Sequence, residues 1–395
     1  MQLGTLLLRH LLISSVVTLA LPAAPCTNDE DCSLNGLCHP RSQTCHCDPG
    51  WTGPSCSALD LSPATRGTGY NHTTYTDPTY YKSYGNSSWG GQIVQDRHNK
   101  KLFHLLVDQF SHGCGLGGWR PTSFVARAES TKGPQGPYEW VEGVTGSFRH
   151  NAYVHWSPAD QAYLLWTIGV DVPPDAIGSC KSVSKDAWPN NISVAAAPEI
   201  TGPWTRFHVA VNGTNPAPWP LLSTASKKIA LAAEDFKIYT ADRWDSNEYQ
   251  LVHAAPPWNT SDYAPTWTED PFLWRDKRGN WHALAHWMID IVESKNRTKK
   301  YPRVGTHMFA RSLEGPWKFT QQEAFSSVVA FTDGSVETFN RRERPKLFFS
   351  DDDGEVTPLY LVTGVQPLGT SSLSYTLIQP IGQAWRKFEE ELGWV

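Results

Sequence analysis

Two adjacent carboxylates, Glu269 and Asp270, stand in the stretch WTEDPFLWRDKRGNWHALAHWM (267–288), directly ahead of Pro271. They open an apolar run that turns at Gly279 and returns as a second apolar and aromatic run, so the pair sits at the mouth of a hairpin built for burial. A carboxyl in such surroundings can be held protonated and act as a general acid, while a second, ionised carboxylate acts as the base. Other groups at strand starts offer related chemistry. FRHNAY supplies Arg149, His150 and Asn151, and a His works as acid or base near neutral pH. NRRERPKL supplies Arg341, Arg342, Glu343 and Arg344. His112 and Arg120, in the Gly-rich loop SHGCGLGGWRP, are pocket candidates. Glu234-Asp235 reads as an exit turn, and His286, flanked by aromatics in mid-strand, as core.

These residues need a frame that brings them together. From about residue 58 the chain consists of short aromatic and β-branched runs punctuated by Gly, Pro and Asp, an all-β pattern with no long helical period before the last dozen residues. A strand closer recurs as ARAESTKGPQGPYEW ending at Trp140, AAAPEITGPWTRF at Phe207 and ARSLEGPWKF at Phe319, with a degenerate copy, YTADRWDSNEYQL, near Leu251. An opener, made of a short strand, a turn and an apolar strand, starts near residues 91, 150, 215, 269 and 344. Five antiparallel units in phase predict a five-bladed β-propeller; a β-sandwich gives no reason for closers in step with openers. First strands of propeller blades line the central channel, so the openers converge at one end of the axis.

The N-terminal part differs. Residues 1–24 read as a secretory signal: Arg9 and His10, the apolar LLISSVVTLALP, then Ala23-Ala24 for cleavage. Six N-x-S/T sequons, at Asn71, Asn86, Asn191, Asn212, Asn259 and Asn296, agree with a secreted glycoprotein. No later segment reaches the ~18 apolar residues of a membrane span. With 395 residues the chain can bury a large core, and a net charge of -5 leaves no basic face for nucleic acid. The 18 Trp suit both a core and stacking on sugar rings. Six of the eight Cys fall at Cys26, Cys32, Cys38, Cys45, Cys47 and Cys56. An even count in so short and polar a secreted segment is a disulfide framework, and zinc is disfavoured because no paired C-x-x-C ligands occur. Cys114 and Cys180 remain for one long-range disulfide.

The Cys-rich segment resembles an EGF-like module, whose closing pattern stands here as CHCDPGWTGPSC. The resemblance implies the pairs Cys26–Cys38, Cys32–Cys45 and Cys47–Cys56, and the absence of acidic residues just before Cys26 argues against calcium there. The later chain, over about residues 85–370, resembles glycoside hydrolase family 43 and its clan of five-bladed propellers, through the closers PEITGPW and SLEGPW and the opener Glu269-Asp270-Pro271. That family hydrolyses pentosides and galactosides of plant-type polysaccharides with inversion, using an Asp base, an Asp that tunes the acid and a Glu acid. Glu269 matches the acid. Asn215 stands where the tuning Asp belongs, and Gly90-Gly91 where the base opens the first blade; Asp77, Glu343 and Asp270 are the alternatives for the base. Some relatives hold a calcium ion or a water cluster in the axial channel, often through a His, a place that His150 or His286 could fill, although no ligand set with diagnostic spacing is present.

The resulting expectation is an all-β, secreted chain: signal 1–24, EGF-like module 26–57, linker 58–84, five-bladed propeller 85–380 and C-terminal tail 381–395. It is expected to act on plant- or algal-type arabinosides, xylosides or galactosides by acid/base hydrolysis, without a cofactor. Glu269, Asp270, Glu343 and His150 are its catalytic candidates, and Asn151, Asn215, Arg149, Arg342, Arg344, Trp89 and His112 its sugar-binding ones. The alternative is a carbohydrate-binding or adhesion propeller that has lost part of the carboxylate set, with a cell-surface or matrix partner met through the EGF-like module.

Overall fold

A computed structural model describes residues 25–71, 84–172, 177, 180–181, 189–220, 227–255, 257, 263–294, 297–300, 305–350, 356–369 and 373–394. The signal, Asp77, Asn259 and Asn296 lie outside the described residues. Among the described residues no helix is long and apolar enough to cross a membrane.

The EGF-like head contains two small hairpins, β1 (Gly36–His39) with β2 (Thr44–Cys47) and β3 (Trp51–Thr52) with β4 (Ala58–Leu59). Disulfides join Cys26 to Cys38, Cys32 to Cys45 and Cys47 to Cys56, the cross-linking that so small a core requires. A fourth joins Cys114 to Cys180 in the propeller.

The remaining strands form five antiparallel sheets, the blades. Blade 1 holds β5 (Tyr84–Gln95), β6 (Phe103–Ser111), β7 (Ser123–Ser130) and β8 (Glu139–Gly143). Blade 2 holds β9 (Arg149–Ser157), β10 (Ala162–Gly169), β11 (Ile192–Ala197) and β12 (His208–Val211). Blade 3 holds β13 (Ala217–Pro220), β14 (Ile229–Ala233), β15 (Lys237–Ala241) and β16 (Gln250–His253). Blade 4 holds β17 (Tyr263–Arg275), β18 (Trp281–Ser294), β20 (Gly305–Ala310) and β21 (Lys318–Phe319), with β19 (Arg297–Lys300) added to β18. Blade 5 holds β22 (Val328–Ala330), β23 (Val336–Phe349), β24 (Pro358–Pro367) and β25 (Tyr375–Pro380).

A ring of sheets must be closed, and the segment after the EGF-like head does this. Leu61 and Tyr70 pair with Ile381 and Thr376 along the outer edge of β25, and Ala64 pairs with Phe331. What the sequence presents as a linker is thus in part the outer strand of blade 5, covering an edge that would otherwise expose unpaired N–H and C=O groups. The C-terminal helix Ala384–Leu392 packs its Phe388 against Phe103 of blade 1 and Phe348 of blade 5.

The head is docked on blade 4. Trp51 stacks on Trp274 with ring centroids 6.1 Å apart and leans on His307 at 4.7 Å. Behind it runs a buried polar chain: Asn35 Nδ2 to His307 Nε2 at 3.1 Å, His307 to His282 at 3.0 Å, and His282 to Asp276 at 3.2 Å. Arg278 ties in Asp48 and the Leu34 carbonyl, and Glu30 meets Arg311 and Lys318. Burial, and then the charge of His282, hold the His307 imidazole well below its usual range. The folded state therefore binds fewer protons than the unfolded chain below about pH 6.5, and stability present above that pH is lost as the pH falls. His307→Phe keeps a ring in place and removes the titration. The drop in urea midpoint between pH 7.5 and pH 5 should be smaller in this variant than in the native protein; an equal drop would show that His307 is not a source of it.

Candidate active site

Each inner strand carries one local device. Gly90, Asn151, Asn215, Asp270 and Arg344, at the five openers, all adopt positive φ, between 51° and 64°. The ladder shifts register there, between Trp89 and Gln92, between Glu269 and Phe272, and between Glu343 and Lys346. Such a bulge twists the strand and re-aims its side chains. The residue before each left-handed one, Trp89, His150, Thr214, Glu269 and Glu343, lines a single cavity of about 630 Å³. That volume lies in the ~300–1,000 Å³ range of small-molecule pockets. Asn and Asp tolerate positive φ better than most residues, whereas at Arg344 the conformation is strained.

Arg344 is held there by charge. Its guanidinium lies 2.8 Å from Asp108 Oδ2 and 3.2 Å from Asp270 Oδ1. Asp108, buried on β6, also accepts the backbone N–H groups of Asn151 at 3.0 Å and Ala152 at 3.2 Å. Burial holds the Asp108 and Asp270 carboxyls above their usual range, and the Arg344 charge opposes that shift in both. Lys346, buried nearby, donates to the Ala152 carbonyl at 2.7 Å, and burial lowers its ammonium to about 8. A Cβ on Gly90 would come within 3.2 Å of the Arg344 side chain, so this arginine fills the space that a side chain of the first opener would enter.

Above this network stand two further acids. Glu269 is one-third exposed, and its carboxyl is raised to about 7, first by burial and then by the charges of Asp270 and Glu343. Glu343 is buried on the neighbouring blade. Between them lies His286, directly across the ladder from Glu269, with Nδ1 3.8 Å from Glu269 and Nε2 3.9 Å from Glu343. Glu269, Asp270 and His286 also place one ligand atom each within 4.8 Å of one another, the grouping among the described residues outside the head that has metal-ligating donors. Its donors suit a divalent cation, but the Arg344 charge already engages Asp270.

The other sequence candidates divide. His150 lines the cavity with its ring stacked on Trp119 at 4.5 Å and its Nδ1 2.6 Å from Ser123 Oγ; burial holds it well below its usual range, in the neutral form. A neutral imidazole here orients and hydrogen-bonds, and is not a proton donor at neutral pH. Asn215 lines the cavity and accepts from Asn151 Nδ2, while Asn151 itself faces the narrow axial space beneath. Arg149 is turned to Asp171 and the Gly169 carbonyl, Arg342 to Gln379 and the Ser326 carbonyl, and His112 to Ser111; none of the three lines the cavity. Alternation along a strand makes this separation: Arg342 is on the opposite face from Arg341 and Glu343. Trp89, 1% exposed, is pressed on Gly364, where a Cβ would come within 2.5 Å of its ring.

The sequence gives no sign of Asp108, presents His286 as core or as an axial calcium holder and Glu234 as an exit turn, and offers Arg341 only within a charge run. Asp108 lies on a second strand, where no opener signal exists. His286 is legible only once its register with Glu269 is known. Glu234, placed by the sequence in an exit turn, lines the cavity.

Residues 29–58 match the family model for the Teneurin-like EGF domain. No curated protein sequence matches the chain significantly. Among solved structures, the chain is similar to the α-L-arabinofuranosidase PaAbf62A of Podospora anserina, at 11% identity and a TM-score of 0.49, over 85% of this chain and 97% of that one. It is likewise similar to the catalytic domain of a GH62 α-L-arabinofuranosidase of Coprinopsis cinerea, at 12% identity and 0.48, over 84% and 97%. A third is an exo-β-1,3-galactanase of Phanerochaete chrysosporium, at 14% identity and 0.47, over 79% and 64%. All three scores lie below 0.5.

Asp108→Ala would leave Arg344 paired on one side only and two buried N–H groups without an acceptor. The expected loss is ~3–5 kcal/mol of unfolding free energy, read from urea titrations; a loss under ~1 kcal/mol would mean that the axial network does not hold the openers in place.

Proposed function

We propose that this protein hydrolyses glycosidic bonds, with Glu269 as general acid and Glu343 as general base. The carrying observation is that two carboxyls meet in one cavity: Glu269, raised to about 7, and the buried Glu343, with His286 between. An acid must hold its proton near working pH and a base must not, and neighbouring carboxyls push their proton affinities apart. Asp270 is the poorer base because its oxygen is engaged by Arg344, which leaves it the part of tuning Glu269.

In the reaction, Glu269 donates its proton to the glycosidic oxygen as the bond from that oxygen to the anomeric carbon breaks. Glu343 takes a proton from a water molecule whose oxygen forms the new bond to that carbon. The alcohol leaves with the proton of Glu269, and Glu343 passes its own back through solvent. Attack by water on the face opposite the leaving group inverts the anomeric centre. Trp119 supplies a ring surface, and Asn215 an amide for a sugar hydroxyl. The substrate class follows the resemblance to family 43: arabinosides, xylosides or galactosides of plant or algal polysaccharides. Four disulfides and the exposed sequon residues Asn71 and Asn212 support a secreted protein.

Gly90 and Asn215, which stand where the family has carboxylates, favour the second reading of a carbohydrate-binding propeller without turnover. Hydrolysis of aryl glycosides and oligosaccharides by the native protein and two variants separates the readings. Glu269→Gln and Glu343→Gln should each lower kcat by ~10²-fold or more. The native rate should fall as pH rises through about 7, where Glu269 loses its proton. Turnover insensitive to both changes would remove this pair, and sugar-dependent thermal stabilisation with no turnover at all would establish the binding reading instead.

A further inference from the structure

The run Asn340-Arg341-Arg342-Glu343-Arg344 on β23 holds three guanidinium groups in three environments. Arg342 is buried, donating to Gln379 at 2.8 Å and to the Ser326 carbonyl at 3.0 Å. Arg344 is engaged by Asp108 and Asp270. Arg341 is half-buried, lines the cavity, and makes no hydrogen bond or ion pair among the described residues. Its cross-strand partner on β24 is Gln366, which also lines the cavity. Asn340 Nδ2 donates to Gln366 Oε1 at 2.8 Å, so the amide acceptor is occupied and its NH₂ group, without a partner among the described residues, is what remains on offer. Arg341 shares one face of β23 with Glu343, two residues on, so this wall of donors adjoins the reacting groups.

We propose that Arg341 and Gln366 bind an anionic substituent, a carboxylate or a sulfate ester, on the sugar that enters the cavity; this rests on the glycosidic reading of the same site. A guanidinium presents a planar fork of N–H donors that matches two oxygens of either group, and the bond is stronger in a partly enclosed site than in water. A neutral sugar would strip water from Arg341 and return no charge partner, so the site discriminates against it. The nearby acids oppose an anion only in part. Glu269 is neutral below about pH 7, and Asp270 is paired with Arg344. Glu343 and Glu234 line the same cavity, and the protonation of Glu269 below about pH 7 makes binding of the charged sugar stronger toward the acid side of neutrality.

The test is calorimetry at low ionic strength with matched pairs: an oligogalacturonate against its methyl ester, and a sulfated galactan oligosaccharide against its desulfated form. The charged member of at least one pair should bind ~10-fold or more tightly than its neutral partner, and which pair responds tells carboxylate from sulfate. Arg341→Gln should reduce that preference below ~2-fold, and Arg341→Lys, which keeps the charge and loses the fork, should leave an intermediate value. Equal binding of neutral and charged partners, no binding of any charged sugar, or a preference intact in Arg341→Gln would each overturn the proposal. The same titrations in Glu269→Gln separate it from the acid–base reading. Anion preference without native turnover upholds this wall and sinks hydrolysis, and turnover of neutral sugars without anion preference does the reverse.

Discussion

Burying charge at the axis of a propeller is the constraint from which the rest of this structure follows. Arg344 bridges Asp108 of blade 1 and Asp270 of blade 4, so three blades share one ionic contact. Removing Arg344 would leave two buried carboxylates without their cation, which is far more costly than the contact is stabilising. The same guanidinium occupies the space beside Gly90 that a larger opener would need. The first blade therefore contributes Asp108 from its second strand, below the cavity, and no carboxylate at its opener.

The reacting groups stand directly on this base. A left-handed residue at each opener turns the preceding side chain into the funnel, and five such turns bring Trp89, His150, Thr214, Glu269 and Glu343 into one cavity. Asp270, on this base, and Glu343 both face Glu269 with like charge. Glu269 feels burial and like charge, and rises to about 7. The EGF-like head docks on the hairpin of β17 and β18, whose other end holds Glu269, Asp270 and His286. Head and acid thus stand at the two ends of one hairpin.

Much of this was legible in the sequence because it depends on spacing. The phase of the Gly-Pro-aromatic closers against the openers gives five blades, and Glu269-Asp270-Pro271 marks a residue at the channel mouth. Glu343-Arg344-Pro345 repeats that frame with Arg in the place of Asp, which is visible as a pattern once the bulges are known. What the sequence could not reveal depends on register and depth. Arg341 and Arg342 are neighbours in the chain and face opposite ways, so a charge run names the wall and not its member. Asp108 and His286 lie on second strands, where residues are read as core unless their cross-strand partners are known. Residues 61–70 carry no strand period, since an outer strand held at a few bridges needs none.

The account stands or falls on the protonation of Glu269. Carbon-13 NMR of side-chain carboxyls, with Glu269→Gln to assign the resonance, follows that group directly through pH. The account predicts a midpoint near 7 in the native protein and a lower one in Glu343→Gln, where one like charge is gone. A midpoint in the ordinary carboxylate range in the native protein, near 4.5, would contradict it: Glu269 would be ionised at working pH and have no proton to donate.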